Sequence, residues 1–310
     1  MLDRQTEQVG REYLGLDTWP DARALGAMLE AQARALDAVQ PAFDDLAKAA
    51  ELVADRIRAG GRMIYVGAGS SGLIAKLDAL ELPATFGIPP AQALALIAGG
   101  AASFQKLDGS VEDNAAQAIA DLDSVRANER DAVIGISASG STIYTCAALK
   151  EARRHGAATI GIACNESAPI YEDVAVAVCL LSGPEVLAGS TRMAAGTAQK
   201  AALNLLSTLT AMKLGHIHDG MMVNVRAENE KLRQRAAHIV AQITGVDLEA
   251  ARAKLIAADF EPKIAILLAA GAQDVSHAAE ILANEQGNVR RALACLGAAP
   301  ASASRSSGKA

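Results

Sequence analysis

Met63-Ile64-Tyr65-Val66-Gly67-Ala68-Gly69-Ser70-Ser71-Gly72 is the stretch that decides the fold of this chain. Four apolar residues in a row suit a strand buried on both faces, and the glycine- and serine-rich run after them leads into a helical pattern. The same succession returns at Ala132-Val133-Ile134-Gly135-Ile136, followed by Ser137-Ala138-Ser139-Gly140-Ser141-Thr142 and a second helical stretch. Further short apolar runs stand at 159–163 and 174–181. Short buried strands alternating with helices predict a parallel sheet of βαβ units, with ligands at the carboxyl ends of the strands. The expected fold class is α/β, a parallel-sheet αβα sandwich.

Around this core the chain reads as four parts. Residues 1–60 are rich in alanine and leucine and predict an amino-terminal helical segment, with helices over about 20–36 and 41–57 ended by Gly60-Gly61. Residues 61–225 carry the α/β domain, closed by one alanine-rich helix over about 191–214. Residues 226–297 predict a small helical bundle without strands. There Leu232, Ala236, Ile239, Val240 and Ile243 share one helical face, Asp247 caps the next helix, and three short helices follow at about 248–257, 262–270 and 276–293. Residues 298–310, AAPASASRSSGKA, are small and polar and predict a disordered tail.

A chain of 310 residues with 51% hydrophobic content has ample material for a core, which excludes a disordered protein. Its formal charge of -6, with no block of lysine or arginine, argues against nucleic acid or an anionic membrane as partner. A small anion remains compatible, because a few amides and hydroxyls hold one phosphate in an acidic protein. Cys146, Cys164, Cys179 and Cys295 lack metal-ligand spacing and read as buried free thiols of a reducing cytoplasm. The start, MLDRQTEQVGRE, has no apolar h-region, and no run approaches the roughly 18 apolar residues of a membrane span. The expected localisation is cytoplasmic. His216 and His218, two residues apart, fall on different helical faces with no nearby ligand set, so no metal site is expected there.

Each serine-rich loop lies between a strand and a helix, where amides cluster at the positive helix end and favour an anion. The first loop also fits the glycine pattern of dinucleotide sites, but the interval where an acidic residue belongs leads instead to Ile88-Pro89-Pro90. For any single serine of the second loop, a helix N-cap is the simpler explanation. Two such loops in one sheet favour phosphate, with Gly69, Ser70 and Ser71 in the first and Ser137, Ser139, Gly140, Ser141 and Thr142 in the second as the candidate binding residues.

The S-x-S-G-x-T pattern of the second loop resembles the phosphosugar-binding loop of the sugar isomerase (SIS) domain family. More narrowly, the chain resembles the N-acetylmuramic acid 6-phosphate etherases of bacterial cell-wall recycling. Val66 to Gly72, Glu81-Leu82-Pro83-Ala84-Thr85-Phe86-Gly87, Leu96-Ile97-Ala98-Gly99-Gly100, Glu112-Asp113-Asn114, Gly161 to Asn165, Gly183-Pro184-Glu185-Val186 and Arg192 to Lys200 carry this likeness, collinearly from about residue 60 to 235. The resemblance implies a lyase that removes D-lactate from an amino-sugar phosphate, with Glu81 and Glu112 as its catalytic pair. It further implies a homodimer and no metal or organic cofactor. A non-catalytic phosphosugar-binding regulator and a phosphosugar isomerase are the alternatives built on the same domain. Where the family carries arginine after each Ser-Gly, this chain has Leu73 and Ser141, and Ile143 replaces the usual proline.

Cleavage of an ether at C3 of an open-chain sugar needs a base for the C2 proton and an acid for the departing oxygen, which two carboxyl groups supply. Glu81 follows Ile74 and Leu77 at helical spacing, so it is expected on their apolar face near a helix end set by Pro83, a place that favours its protonated form. Glu112, with Ser110 and Asp113 resembling a capping box, is expected in the first turn of a helix, where the positive end favours a carboxylate. On this reading Glu81 is the better acid and Glu112 the better base, with the reverse assignment open because one carboxyl can act twice when water adds across the alkene. Taken singly, Glu81 reads as a surface acid at a helix end and Glu112 as a helix-dipole partner. Arg192 and Lys200 are candidates to attract the lactyl carboxylate or the phosphate, against the commoner role of a solvated or paired surface cation. Glu185 belongs to the matched segment without an assigned role.

Overall fold

The computed structural model describes residues 4–227 and 229–297; the tail expected at 298–310 lies outside them. Contacts divide the chain into two compact units, Met1–Leu80 with Pro90–Thr210, and Glu81–Pro89 with Ala211–Ala310.

In the first unit, α1 (Asp21–Asp37) and α2 (Phe43–Arg58) precede a run of alternating elements. These are β1 (Met63–Gly67), α3 (Gly69–Phe86), β2 (Ala93–Ile97), α4 (Ala115–Ser124), β3 (Ala132–Ile136), α5 (Ile143–Arg154), β4 (Ala158–Ala163), β5 (Val176–Cys179) and α6 (Ala194–Lys213). The last residues of α3 and α6 count with the second unit. The strands form one parallel sheet in the order β2-β1-β3-β4-β5. Every residue of β1, β3 and β4 is buried, as an apolar run without alternation requires when helices cover both faces. Ile64, Val66 and Val133 pack on one face against Leu122 of α4 and Tyr144, Ala148 and Leu149 of α5. Tyr65 points to the other face, towards α3, and α2 packs beside β1, β3 and β5.

Several local expectations need correction. Strand β2 escapes a reading by pattern, because Ala93-Leu94-Ala95-Leu96-Ile97 suits a helix equally well and only its pairing with β1 fixes it as an edge strand. Helix α3 does not stop near Pro83 but carries it inside and ends at Phe86. Before α1, three 3-10 turns at Gln5–Glu7, Arg11–Tyr13 and Leu16–Thr18 fold onto this unit, with Thr6 buried and Tyr13 packed on Ala31 and Val186.

The second unit contains a short hairpin of β6 (Ile217–His218) and β7 (Met221–Met222), then α7 (Glu230–Thr244), α8 (Leu248–Ala257), α9 (Pro262–Ala269), α10 (Val275–Asn284) and α11 (Val289–Cys295). Helix α9 is buried along its length at the centre of this core. Asp247 caps α8 as expected, accepting from Ala250 N at 2.8 Å. The single helix expected over 276–293 is two, because the chain turns at Gln286 and Gly287 and Asn288 caps a new helix by accepting from Arg291 N. His218 lies in the hairpin and His216 just before it, so helical faces do not govern their directions.

Candidate active site

Strand β3 delivers the chain into Ser137–Thr142 at its carboxyl end, and α5 begins directly after. Within this loop the hydroxyls bond to one another. Ser137 Oγ accepts from Gly140 N at 3.0 Å and shares hydrogen bonds with Thr142 Oγ1 at 2.8 Å and Ser139 Oγ at 3.3 Å. Ser139 Oγ and Ser141 Oγ lie 3.2 Å apart. Thr142 occupies the N-cap position of α5 yet makes no side-chain bond to that helix. Capping therefore does not account for these serines. Gly140, at φ +70°, is required by close packing, since a β-carbon there would come within 2.4 Å of Ala168 Cβ. Beyond Ser141, a cavity of about 670 Å³ runs along the outer flank of α5, lined by Cys146, Lys150, Arg153 and Glu172; of the loop hydroxyls it reaches Ser141 alone.

The first loop turns from β1 into α3 through Gly69, at φ +53°. Ser70 is half-buried, whereas Ser71 is buried and donates its hydroxyl to Gln199 Oε1 of α6 at 2.9 Å. The carboxylate of Glu112 lies against Gly69: a β-carbon placed on that glycine would stand 2.9 Å from Glu112 Oε1. Glu112 is thus set at the amino end of α3, beside the loop. It does not sit in the first turn of an α-helix. It belongs to a 3-10 turn, Gly109–Asp113, that Asp108 caps by accepting from Ser110 N and Ser110 Oγ, while α4 is capped separately by Asn114. The expected box of Ser110 and Asp113 is absent. Half-buried, Glu112 has its carboxyl pushed above the usual range by burial first and by Asp113 second, opposite to the direction a helix end alone predicts.

Glu81 also differs from expectation. It is exposed, because Leu77, one turn before it, itself faces outwards; the buried positions of this stretch are Ala75, Asp78, Ala79 and Leu82. Glu81 opens the segment that groups with the second unit, whereas Glu112 and both serine loops belong to the first. Glu185 is fully buried and accepts from Ala194 N and Ala195 N, each at 2.9 Å, so its carboxylate fills the amino end of α6 and starts that helix at Ala194. Burial pushes its pKa up against those two bonds. Arg192 is exposed, and Lys200 is an exposed cation bonded to Asn204 Oδ1. Among the described residues, no group of three or more His, Cys, Asp or Glu is placed to hold a metal ion.

Asp78 is a residue that motif reading passes over. It is buried, accepts from Tyr65 OH at 2.5 Å on β1, and accepts from Asn204 Nδ2 at 2.7 Å and Ser207 Oγ at 3.1 Å on α6. An acid one residue after Leu77 and four after Ile74, in a helix rich in alanine and leucine, is the only signal it gives in the sequence. With the Ser71–Gln199 bond it fastens α3, which carries the first loop, between β1 and α6.

Comparison with known proteins places these features in a family. Residues 29–164 match the SIS domain model. The N-acetylmuramic acid 6-phosphate etherase of Mycolicibacterium smegmatis is 40% identical over 289 residues, covering 93% of this chain and 97% of that protein. The enzyme of the same name from Salmonella choleraesuis is 40% identical over 91% of this chain and 95% of its own length. Among solved structures, one from Bacteroides fragilis assigned as a phosphosugar isomerase involved in capsule formation superposes with a TM-score of 0.50 at 24% identity, covering 63% of this chain and 91% of that one, a likeness of fold.

Proposed function

The chain belongs to the N-acetylmuramic acid 6-phosphate etherases, and we propose how its two glutamates divide the reaction that this family catalyses. The activity is that of a lyase cleaving the lactyl ether bond of N-acetylmuramic acid 6-phosphate. In the proposed mechanism Glu112 takes the C2 proton, which the C1 aldehyde of the open-chain sugar acidifies. Electrons from that C–H bond form the alkene as the C3–O bond breaks, and Glu81 protonates the departing oxygen to release D-lactate. Water then adds its hydroxyl to C3 and a proton to C2, giving N-acetylglucosamine 6-phosphate. The observation that supports a proton-transfer role for Glu112 is its contact with Gly69, which sets a half-buried carboxylate of raised proton affinity beside the first loop. A carboxylate whose pKa moves towards the working pH is a stronger base than an ordinary one.

The phosphate falls to the two loops. Ser137, Ser139, Ser141 and Thr142 offer hydroxyls and Gly140 shapes their turn, while Gly69, Ser70 and Ser71 form the other wall. Glu185 acts by holding the amino end of α6, and Arg192 and Lys200 are proposed to raise the local concentration of a substrate that carries both a carboxylate and a phosphate. Purified protein incubated with N-acetylmuramic acid 6-phosphate releases lactate on this reading. Glu81→Gln and Glu112→Gln each lower kcat by about a hundred- to ten-thousandfold. Full activity in both variants sinks the mechanism.

A homodimer is proposed as the working form. Leu25 and Leu29 on α1, Leu77 and Leu80 on α3 and Leu205 on α6 are all exposed, and Thr197 bonded to Gln32 and Asn204 bonded to Asp78 tie these three helices side by side. Light scattering that returns the mass of one chain at micromolar concentration overturns it. The proposed setting is cell-wall recycling in the cytoplasm. The four unpaired cysteines fit a reducing compartment, but only Cys164 is buried as the sequence predicts and Cys295 is exposed. No described helix is long and apolar enough to cross a membrane.

A further inference from the structure

Asn165, two residues past the end of β4 and almost fully buried, stands between the amino-terminal segment and the second serine loop. Its Oδ1 accepts from Thr6 N at 3.4 Å, and its Nδ2 donates to Thr6 Oγ1 at 3.1 Å and to Ala138 O at 2.9 Å. Turning the carboxamide over would set its oxygen against the Ala138 carbonyl, so the hydrogen-bond partners fix its orientation. Ala138 lies between Ser137 and Ser139, and its carbonyl also accepts from Cys164 N at 3.0 Å. Thr6, itself fully buried, accepts at its carbonyl from Gly189 N at 2.9 Å. A turn further on, Tyr13 packs against Ala31 and Val186 and accepts from Arg34 Nη2 at 2.6 Å.

We propose that the amino-terminal residues 4–13 are part of the phosphate-binding site, with Thr6 and Asn165 as positioning residues that hold the Ser137–Ser139 backbone in its binding form. This rests on the reading of Ser137–Thr142 as the phosphate loop. Three of the four hydrogen-bonding positions of the Asn165 carboxamide, both N–H groups among them, are engaged by Thr6 and Ala138. Neither the segment nor the loop can then shift without leaving a buried amide group unpaired, and a buried unpaired group is costly enough to couple the two. A stitch needed only for stability would be complete on reaching the sheet. This one reaches the peptide unit between two serines of the loop.

The first experiment is hydrogen exchange on the intact wild-type chain with and without saturating inorganic phosphate. Slower exchange is expected both at 137–142 and at 4–13. No protection at 137–142 overturns the phosphate reading and this inference with it. Protection at 137–142 with none at 4–13 overturns this inference alone. The second compares Thr6→Val and Thr6→Ser in steady-state assays with N-acetylmuramic acid 6-phosphate. Thr6→Val is expected to raise KM and the inhibition constant of inorganic phosphate together, by about two- to tenfold, the worth of one hydrogen bond. Its kcat should stay within about twofold and Thr6→Ser should restore both constants. An unchanged KM in a folded Thr6→Val chain, or a fall confined to kcat, overturns the proposal. Should Thr6→Val not fold, the exchange experiment decides.

Discussion

The carboxylate of Glu112 rests on the α-carbon of Gly69, so closely that one added methyl group would come within 2.9 Å of its Oε1. The two residues come from different connections of the sheet, the turn after β1 and the 3-10 turn before α4. Gly69→Ala therefore acts in two separable ways. Its positive φ costs a β-carbon about 1–2 kcal/mol of stability, while the clash falls on the free end of a side chain and is relieved by moving Glu112. A displacement of about 1 Å at a catalytic group costs on the order of a hundredfold in rate. The expected variant is folded, modestly less stable in urea, and about a hundredfold slower in kcat with KM little changed. A near wild-type kcat would remove Glu112 from the chemistry or Gly69 from its support.

Burial raises the Glu112 pKa, which fixes the sign of a pH effect. The proposed base must be ionised, so on that reading activity on the acidic side rises as pH passes through the folded-state pKa of Glu112, which lies above that of an ordinary glutamate. Ionising a buried carboxyl is also unfavourable, so its contribution to stability is greatest below the ordinary glutamate pKa and is lost as pH rises through the raised one. The division of roles has its own signature in deuterated water. With Glu112 as base and Glu81 as acid, Glu81→Gln still exchanges the C2 hydrogen of the substrate for deuterium without releasing lactate, and Glu112→Gln does neither. Exchange retained in Glu112→Gln and lost in Glu81→Gln reverses the assignment.

The fold is legible in the chain because β1 and β3 are unbroken apolar runs entering glycine- and serine-rich turns, a pattern that only a sheet covered on both faces satisfies. Strand β2 is not legible, since five alanines, leucines and isoleucines carry no period of their own. The candidate site is legible as two strand-to-helix loops, while the environments of its proposed residues are not. Helical spacing puts Glu81 on the face of Leu77 correctly, but the chain alone does not say that this face looks outwards. Glu112 shows a similar gap: its capping pattern is imitated by Ser110 and Asp113, while the real caps are Asp108 and Asn114. Asp78, Asn165 and Thr6 were beyond reach because their meaning lies in partners distant in sequence, Asn204 and Ser207 for the first and each other for the last two.

Tyr65, Asn204 and Ser207 all donate to Asp78, and substitutions here should rank by how many of these donors they orphan. Tyr65→Phe removes a single hydrogen bond and leaves Asn204 and Ser207 in place, at an expected cost of about 1–3 kcal/mol. Asp78→Ala strands the Tyr65 hydroxyl in a fully buried position, where burial and the neighbouring carboxylate hold its pKa far above the usual value. Ser207 loses a partner in the same core, so Asp78→Ala should cost clearly more than Tyr65→Phe in urea unfolding. In the double variant the two costs should fall short of additivity, because both remove the same bond. Full additivity would show that Tyr65 and Asp78 act independently.

Lys263 offers a test in the second unit with a defined direction. It is buried on α9, donates to Gly287 O at 2.9 Å, and burial lowers its pKa to about 8 from the ordinary lysine value. Between about pH 8 and the ordinary value near 10.4 the unfolded chain keeps a proton that the folded chain has released. Stability contributed by this group therefore rises with pH across that window and is flat below it. Lys263→Met removes the titration and also the bond to Gly287, but the loss of the bond shifts stability by the same amount at every pH. The difference between wild type and Lys263→Met, followed by circular dichroism in urea from pH 7 to 10, should then grow in favour of the wild type above pH 8, by on the order of 3 kcal/mol at full titration. A difference that stays constant over this range would mean that Lys263 keeps its proton in the folded core, with solvent reaching the ammonium beside Gly287.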